Sequence, residues 1–236
     1  MREVGFGTPI TLILRSNPAS QELDLILVGK LWKPVLSQQP TPVVLQLLGT
    51  GTTLAGTAIA QRLPGAGRAI MIDGVKVDAL DHFAKANGLA VTAKKTPVIS
   101  IAFSQAEKAV IALRACNDDI LRSWGIDPAA RKQLRSEARW EPVTKKKNSM
   151  PTLEDMPQGS LRGGSSGQAL IIFDVASDGS TSGCKLVSQS GSAGSPCEQL
   201  KRRGKYHPAV GLAGQPVASR KAELHEWFDV MVQGVM

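Results

Sequence analysis

Tyr206 and His207 stand side by side in the stretch GKYHPAVGLAGQPV, Gly204 to Val217, and Tyr206 is the only tyrosine of the chain. A phenol next to an imidazole could move protons in general acid–base catalysis. The other histidines are His82 and His225. A Ser-His-Asp set would have to use one of these three, and no GxSxG nucleophile elbow is present. His82 falls on an expected surface helix and His225 in the last expected strand. A Cys–His nucleophile requires a free reactive thiol. The cysteines are Cys116, Cys184 and Cys197. Cys197 falls in the first turn of an expected helix, where a thiol pKa can be lowered. Yet Cys184 and Cys197 are close in sequence and flank a hairpin-like return, so a disulfide is the simpler reading. Closing that loop stabilises by about 3 kcal/mol and points to an oxidising compartment. Cys116 is then left over, unpaired within this chain and open to a cysteine upstream of Met1 in a longer precursor.

Other chemical signals are weaker. GTGTTLAG, Gly49 to Gly56, has the glycines of a phosphate loop but lacks the Gly-Lys-Ser/Thr ending that places a lysine on the phosphates. Asp118 and Asp119 are paired carboxylates, but adjacent helical residues do not face each other. No CxxC pair occurs, so a cysteine-rich zinc site is not expected, and neither a metal nor a cofactor is called for.

Several helices and strands must position these residues. TPITLILRS and ELDLILVGK are β-rich runs separated by the turn cluster NPAS. TPVVLQLLG, AIAQRL and RAIMIDG follow, and Asp73-Gly74 is a hairpin or turn signal. A short helix is expected over VDALDHFAKANG with Gly88 as its C-terminal cap. TPVISIAF is another strand. A clear helix follows, with Ser104 and Glu107 at capping-box spacing and Val110, Leu113, Asn117, Ile120 and Trp124 at steps of three and four. Gly125 ends it, and Asp127-Pro128 starts another. Residues 1–135 are therefore expected to form a β-rich N-terminal domain with helices. Residues 136–165, charged and then rich in Pro, Gly and Ser, read as a linker.

Residues 166–236 carry a β–β–α–β pattern. QALIIFDVASDG is a strand with Leu170, Ile172 and Asp174 on one face and Ile171, Phe173 and Val175 on the other. Asp178-Gly179 makes its turn, and SGCKLVSQSG is the second strand. Ser195, Pro196 and Glu198 open a helix over EQLKRRG. SRKAELHEWF is the last strand. The fold class is thus α+β, a β-rich domain with helices joined to a small antiparallel sheet with one packed helix.

The net charge of +8 and a pI of about 9.6 admit nucleic acid, an anionic surface or an acidic protein as partners. Lys145 to Lys147 and Arg202-Arg203 are the densest basic runs. No aromatic residues alternate with them to stack bases, so nucleic acid is not favoured. No run of 18 apolar residues is present, so no membrane span is expected in this chain. The chain enters a strand-like stretch within a few residues of Met1, so an export signal, and with it a first strand, is expected upstream.

Residues 151–228 resemble the TonB C-terminal domain family of bacterial envelope proteins. GQALIIFDVASDG resembles its glycine, alternating strand and Asp-Gly turn, and CKLVSQSGS its second strand. PCEQLKRRGKYHPA resembles its helix followed by an aromatic, one residue, then Pro-Ala. GQPV, with Gly214 and Pro216, resembles the Gly-x-Pro-Val lead-in to the last strand. Cys184 and Cys197 match a subgroup with a cysteine at each place. An energy-transducing TonB also carries a membrane anchor and a long Pro-rich spacer, and neither is expected within residues 1–236.

The resemblance implies a non-enzymatic periplasmic or cell-envelope protein that binds a protein or peptide partner, such as an outer-membrane transporter in TonB-type transport. It also implies a last strand at a sheet edge, where an extended partner segment can add. The partner-binding residues on that reading are Val217, Ser219, Lys221, Glu223, His225 and Trp227. Tyr206, Pro208, Ala209, Gly214 and Pro216 become structural, and His207 faces solvent. Two alternatives stay open: an enzyme using Asp73, Asp78 and His82, and a binder of nucleic acid or an acidic surface through Lys145 to Lys147 and Arg202-Arg203.

Overall fold

The structure is a computed structural model that describes residues 10–20, 22–29, 36, 38–63, 67–140, 167–191, 195–202 and 205–227. The chain divides into two compact units, Met1–Asp119 and Ile120–Met236.

The first unit is built on one large antiparallel sheet. Its strands are β1 (Thr11–Ser16), β2 (Glu22–Gly29), β3 (Thr41–Leu48), β4 (Thr52–Leu63), β5 (Gly67–Lys76), β6 (Gly88–Ala93) and β7 (Thr96–Ala102), in the order β1-β2-β5-β4-β3-β6-β7. Period-two patterning selects the inward face. Leu23, Leu25 and Leu27 of β2 and Leu45 and Leu47 of β3 are fully buried, while their neighbours in sequence are not. Each such leucine contributes about 1.5–3 kcal/mol by leaving water.

A 3-10 turn (Val77–Ala79) leads into α1 (Leu80–Lys85), which buries Leu80 and Phe83 in the same core. The long helix α2 (Ala106–Ser123) adds Val110 and Leu113. Asn117 interrupts that apolar stripe for a reason: its Nδ2 donates to Ser16 Oγ of β1 at 3.1 Å.

Several sequence expectations change here. Asp73-Gly74 is no turn but a bulge inside β5. Leu23 pairs with Val75 and Leu25 with Ile72, so β5 carries one extra residue, and Gly74 takes φ +78. The bulge lets Ile72 and Val75, three apart, both face inward and be buried. Gly88 caps no helix; it opens β6 opposite Ala102, where a Cβ would lie 2.6 Å from the Ile101 carbonyl oxygen. The glycines of Gly49 to Gly56 form the β3–β4 hairpin, with Gly49 at φ +84 and Gly51 at φ +70. Helix α2 starts at Ala106 because Gln105, at φ +62, separates Ser104 from it.

The boundary between the units falls within α2. Gly125, at φ +71, closes that helix, and Asp127 caps α3 (Pro128–Lys132) by accepting from the Ala129 N–H. The strands β8 (Leu134–Ser136) and β9 (Arg139–Trp140) fall where the sequence reads as the end of one domain and a linker. They pair with β13 (Ala209–Gly211) and β12 (Tyr206–His207) of the second unit.

The heart of the second unit is a three-stranded antiparallel sheet of β10 (Gly167–Val175), β11 (Thr181–Ser190) and β15 (Ser219–Trp227), in the order β11-β10-β15. Helix α4 (Pro196–Arg202) and Tyr206 pack with the face that carries Ile171, Phe173 and Val175. The disulfide Cys184–Cys197 joins β11 to the first turn of α4. Asp178 closes the β10–β11 turn by accepting from the Ser180 hydroxyl and N–H, which holds its carboxyl below the usual range.

Candidate functional site

The middle strand β10 has one fully buried face, with Ala169, Ile171 and Phe173, while on the other face Ile172 is buried and Gln168 is exposed. Its neighbours in the sheet are β11 and β15. Both outer strands are then sheet edges among the described residues.

The two edges differ. Along β15 every residue from Ser219 to Trp227 pairs in step with Val175 to Gly167, with no shift of register. Along β11 the register slips twice, between the partners of Leu170 and Ile171 and between those of Ile172 and Asp174. Bulges twist an edge away from further pairing. β15 is thus the regular edge and β11 the blunted one, although β11 exposes Leu186 and Val187.

The side chains of β15 are held in place by the sheet. Arg220 Nε and Nη2 donate to the two oxygens of Asp174 on β10 at 2.8 and 3.1 Å. On the other face the Tyr206 hydroxyl donates to Glu223 Oε2 at 3.1 Å. Glu223 Oε1 also lies 3.1 Å from His225 Nε2, and His225 is buried. The sequence expectation therefore resolves residue by residue. Ser219, Lys221, Glu223 and His225 share β15 and its register, as does the backbone of Trp227. Val217 stands apart: it lies in β14 (Pro216–Val217), opposite Ala209.

Tyr206 is a core residue. It is buried, and its ring meets Phe173 edge to face at 5.2 Å between centroids. His207 is exposed and pairs across strands with Arg139. Ala209 is fully buried. The link from Tyr206 through Glu223 to His225 was not read from the sequence; its one signal is the i, i+2 spacing of Glu223 and His225 in a strand, which puts both on one face.

The residues of the enzyme alternative lie along β5, the 3-10 turn and α1. Asp73 sits in the β5 bulge, and Asp78 and His82 are exposed. His82 Nδ1 lies 3.1 Å from Thr52 Oγ1 at the surface. Among the described residues no group of three or more His, Cys, Asp or Glu could hold a metal ion, and no helix is long and apolar enough to cross a membrane. Lys145 to Lys147 and Arg203 lie outside the described residues.

No protein-family model, no curated protein and no solved structure matches the chain.

Proposed function

We propose that this is a non-enzymatic protein of the bacterial cell envelope whose TonB-like C-terminal unit binds an extended segment of a partner protein. The segment adds to β15 as a further strand. The observation that carries this reading is the unbroken register of β15 at the edge of the sheet. A regular edge offers main-chain groups for affinity and alternate side chains for specificity. The β–β–α–β order, with the last strand outermost, is the arrangement the resemblance implies. The Cys184–Cys197 disulfide supports an oxidising compartment such as the periplasm. An outer-membrane transporter is the partner class that the resemblance suggests.

The test is site-specific photo-crosslinking in the envelope. A photoreactive residue at Lys221 on β15 should trap the partner, and one at Ser188 on β11 should not. With the partner in hand, hydrogen exchange should show new protection of alternate amides within Ser219–Trp227. Protection elsewhere, or equal trapping from both strands, removes the reading.

A further inference from the structure

The strands of the first unit alternate in direction, so one end of the sheet gathers the end of β2, the β4–β5 connection and the β6–β7 turn. Arg62 and Arg68 lie directly opposite each other at the end of the β4–β5 ladder, which puts both on one face. Arg62 is exposed and Arg68 half-buried. Lys94 and Lys95 form the two-residue β6–β7 turn; both are exposed and both are left-handed, at φ 48 and φ 66. The register sets the two pairs at the same end. Thr41, at the start of β3, pairs with Ala58 of β4, and Val43 with Ala93 of β6.

Each pair is unfavourable by itself. Like charges directly opposite destabilise a sheet. A two-residue turn with both φ positive favours Asn-Gly, and lysine is strained there. Nothing nearby offsets either cost: among the described residues none of the four has a carboxylate partner. The acids of the seven strands, Glu22, Asp24 and Asp73, sit toward the far ends of β2 and β5. By sequence, the connections 30–40 and 64–66 add no acidic residue. We propose that this end of the first unit docks on an anionic phospholipid surface. Two strand spacings, about 10 Å, separate β4 from β6, so no single small anion serves both pairs. A membrane supplies many phosphates in one plane and favours each nearby lysine or arginine about fivefold. Duplex nucleic acid is read by a helix or ribbon laid along a groove, and single strands by stacked aromatics. This end presents strand ends and a turn, and no described aromatic residue. The surface is independent of strand addition at β15.

Flotation of the full chain with vesicles tests this. The chain should float with phosphatidylcholine vesicles that contain phosphatidylglycerol, not with phosphatidylcholine alone, and high salt should release it. Arg62→Gln and Arg68→Gln should each weaken binding about fivefold, with circular dichroism unchanged. Lys94→Asn with Lys95→Gly should move two readouts apart: binding falls while the melting temperature rises, because the turn strain is relieved. Lys76→Gln, at the far end of β5, should leave binding unchanged. No flotation with phosphatidylglycerol overturns the proposal, as does equal flotation with phosphatidylcholine alone. So does a Lys76→Gln loss as large as that of Arg62→Gln, which would reflect net charge alone. Binding and melting that fall together in the turn variant would mean structural damage, and overturn it too. Release by inorganic phosphate at matched ionic strength would mark a small-anion site instead. A short DNA duplex that binds with the same dependence on these four residues would mark a nucleic-acid surface. Either result overturns the lipid reading.

Discussion

Gly179 and Tyr206 hold the second unit together through their backbones. The Tyr206 N–H donates to the Gly179 carbonyl at 2.9 Å, and a Cβ on Gly179 would overlap the Tyr206 carbonyl oxygen. Gly179 also takes φ +83. Turn geometry and close packing thus demand glycine independently. The β10–β11 turn is clamped to the strand that carries the core tyrosine.

Gly179→Ala should therefore destabilise the second unit by about 2 kcal/mol or more, since both the conformation and the contact are violated. Urea unfolding followed by circular dichroism measures it. A shift of a few tenths would show that the turn and Tyr206 are not locked.

Tyr206 has two roles that mutation can separate. Tyr206→Phe keeps the ring against Phe173 and loses the hydrogen bond to Glu223, at a cost of about 1 kcal/mol. Tyr206→Ala empties a buried site and should cost about 3–5 kcal/mol. Equal losses for the two variants would mean that the hydroxyl, not the ring, carries the contribution.

Reducing the Cys184–Cys197 bond, or replacing both cysteines by serine, should lower stability by about 2–4 kcal/mol. The mechanism is release of the loop between β11 and α4 in the unfolded chain. Thermal melts with and without reductant measure it, and coincident melts would remove the claim.

A surface pair in the first unit predicts a small pH effect. The hydrogen bond from Arg114, and then its charge, hold the Asp81 carboxyl below the usual range. A folded-state pKa below the unfolded one gives stability that is complete above the unfolded pKa. It is lost as pH falls through the folded pKa. Asp81 is 68% exposed, so screening limits the gain to below about 1 kcal/mol. Asp81→Asn should thus match the parent at acid pH and fall slightly behind at neutral pH. An Asp81→Asn deficit that is unchanged at acid pH would contradict this.

Much of the strand pattern was legible because period-two burial leaves a plain trace, as in the leucines of β2 and β3. Where residue type and context disagreed, type misled. Asp-Gly at 73–74 marks turns in general, but here β5 needed an extra residue to keep Ile72 and Val75 inward. Gly88 suited a helix cap, but the close approach of the Ile101 carbonyl needed it in a strand. β8 and β9 were invisible because strands this short hold through distant partners, such as Arg139 opposite His207. For the same reason Val217 read as the start of the last strand, although pairing with Ala209 keeps it in β14. The edge position of β15 came only from the family resemblance, and nothing local in the sequence marks the slips of register in β11.

The end of α2 offers the sharpest test of side-chain coupling. Gly125 closes the helix at φ +71, and a Cβ there would lie 2.6 Å from Arg220 Nη1. Arg220 is in turn fixed by its two hydrogen bonds to Asp174. A guanidinium at a helix C-terminus is also favoured by the helix dipole. Gly125→Ala should therefore carry two penalties: backbone strain of about 1–3 kcal/mol, and displacement of a guanidinium held by a carboxylate. Only the second depends on Arg220. In an Arg220→Ala background, Gly125→Ala should cost less than in the parent, leaving the strain alone. A double-mutant cycle measures the difference, since residues in contact couple by about 0.5–3 kcal/mol. Strict additivity would mean that Arg220 moves aside freely, and that its grip on Asp174 does not position the end of the helix.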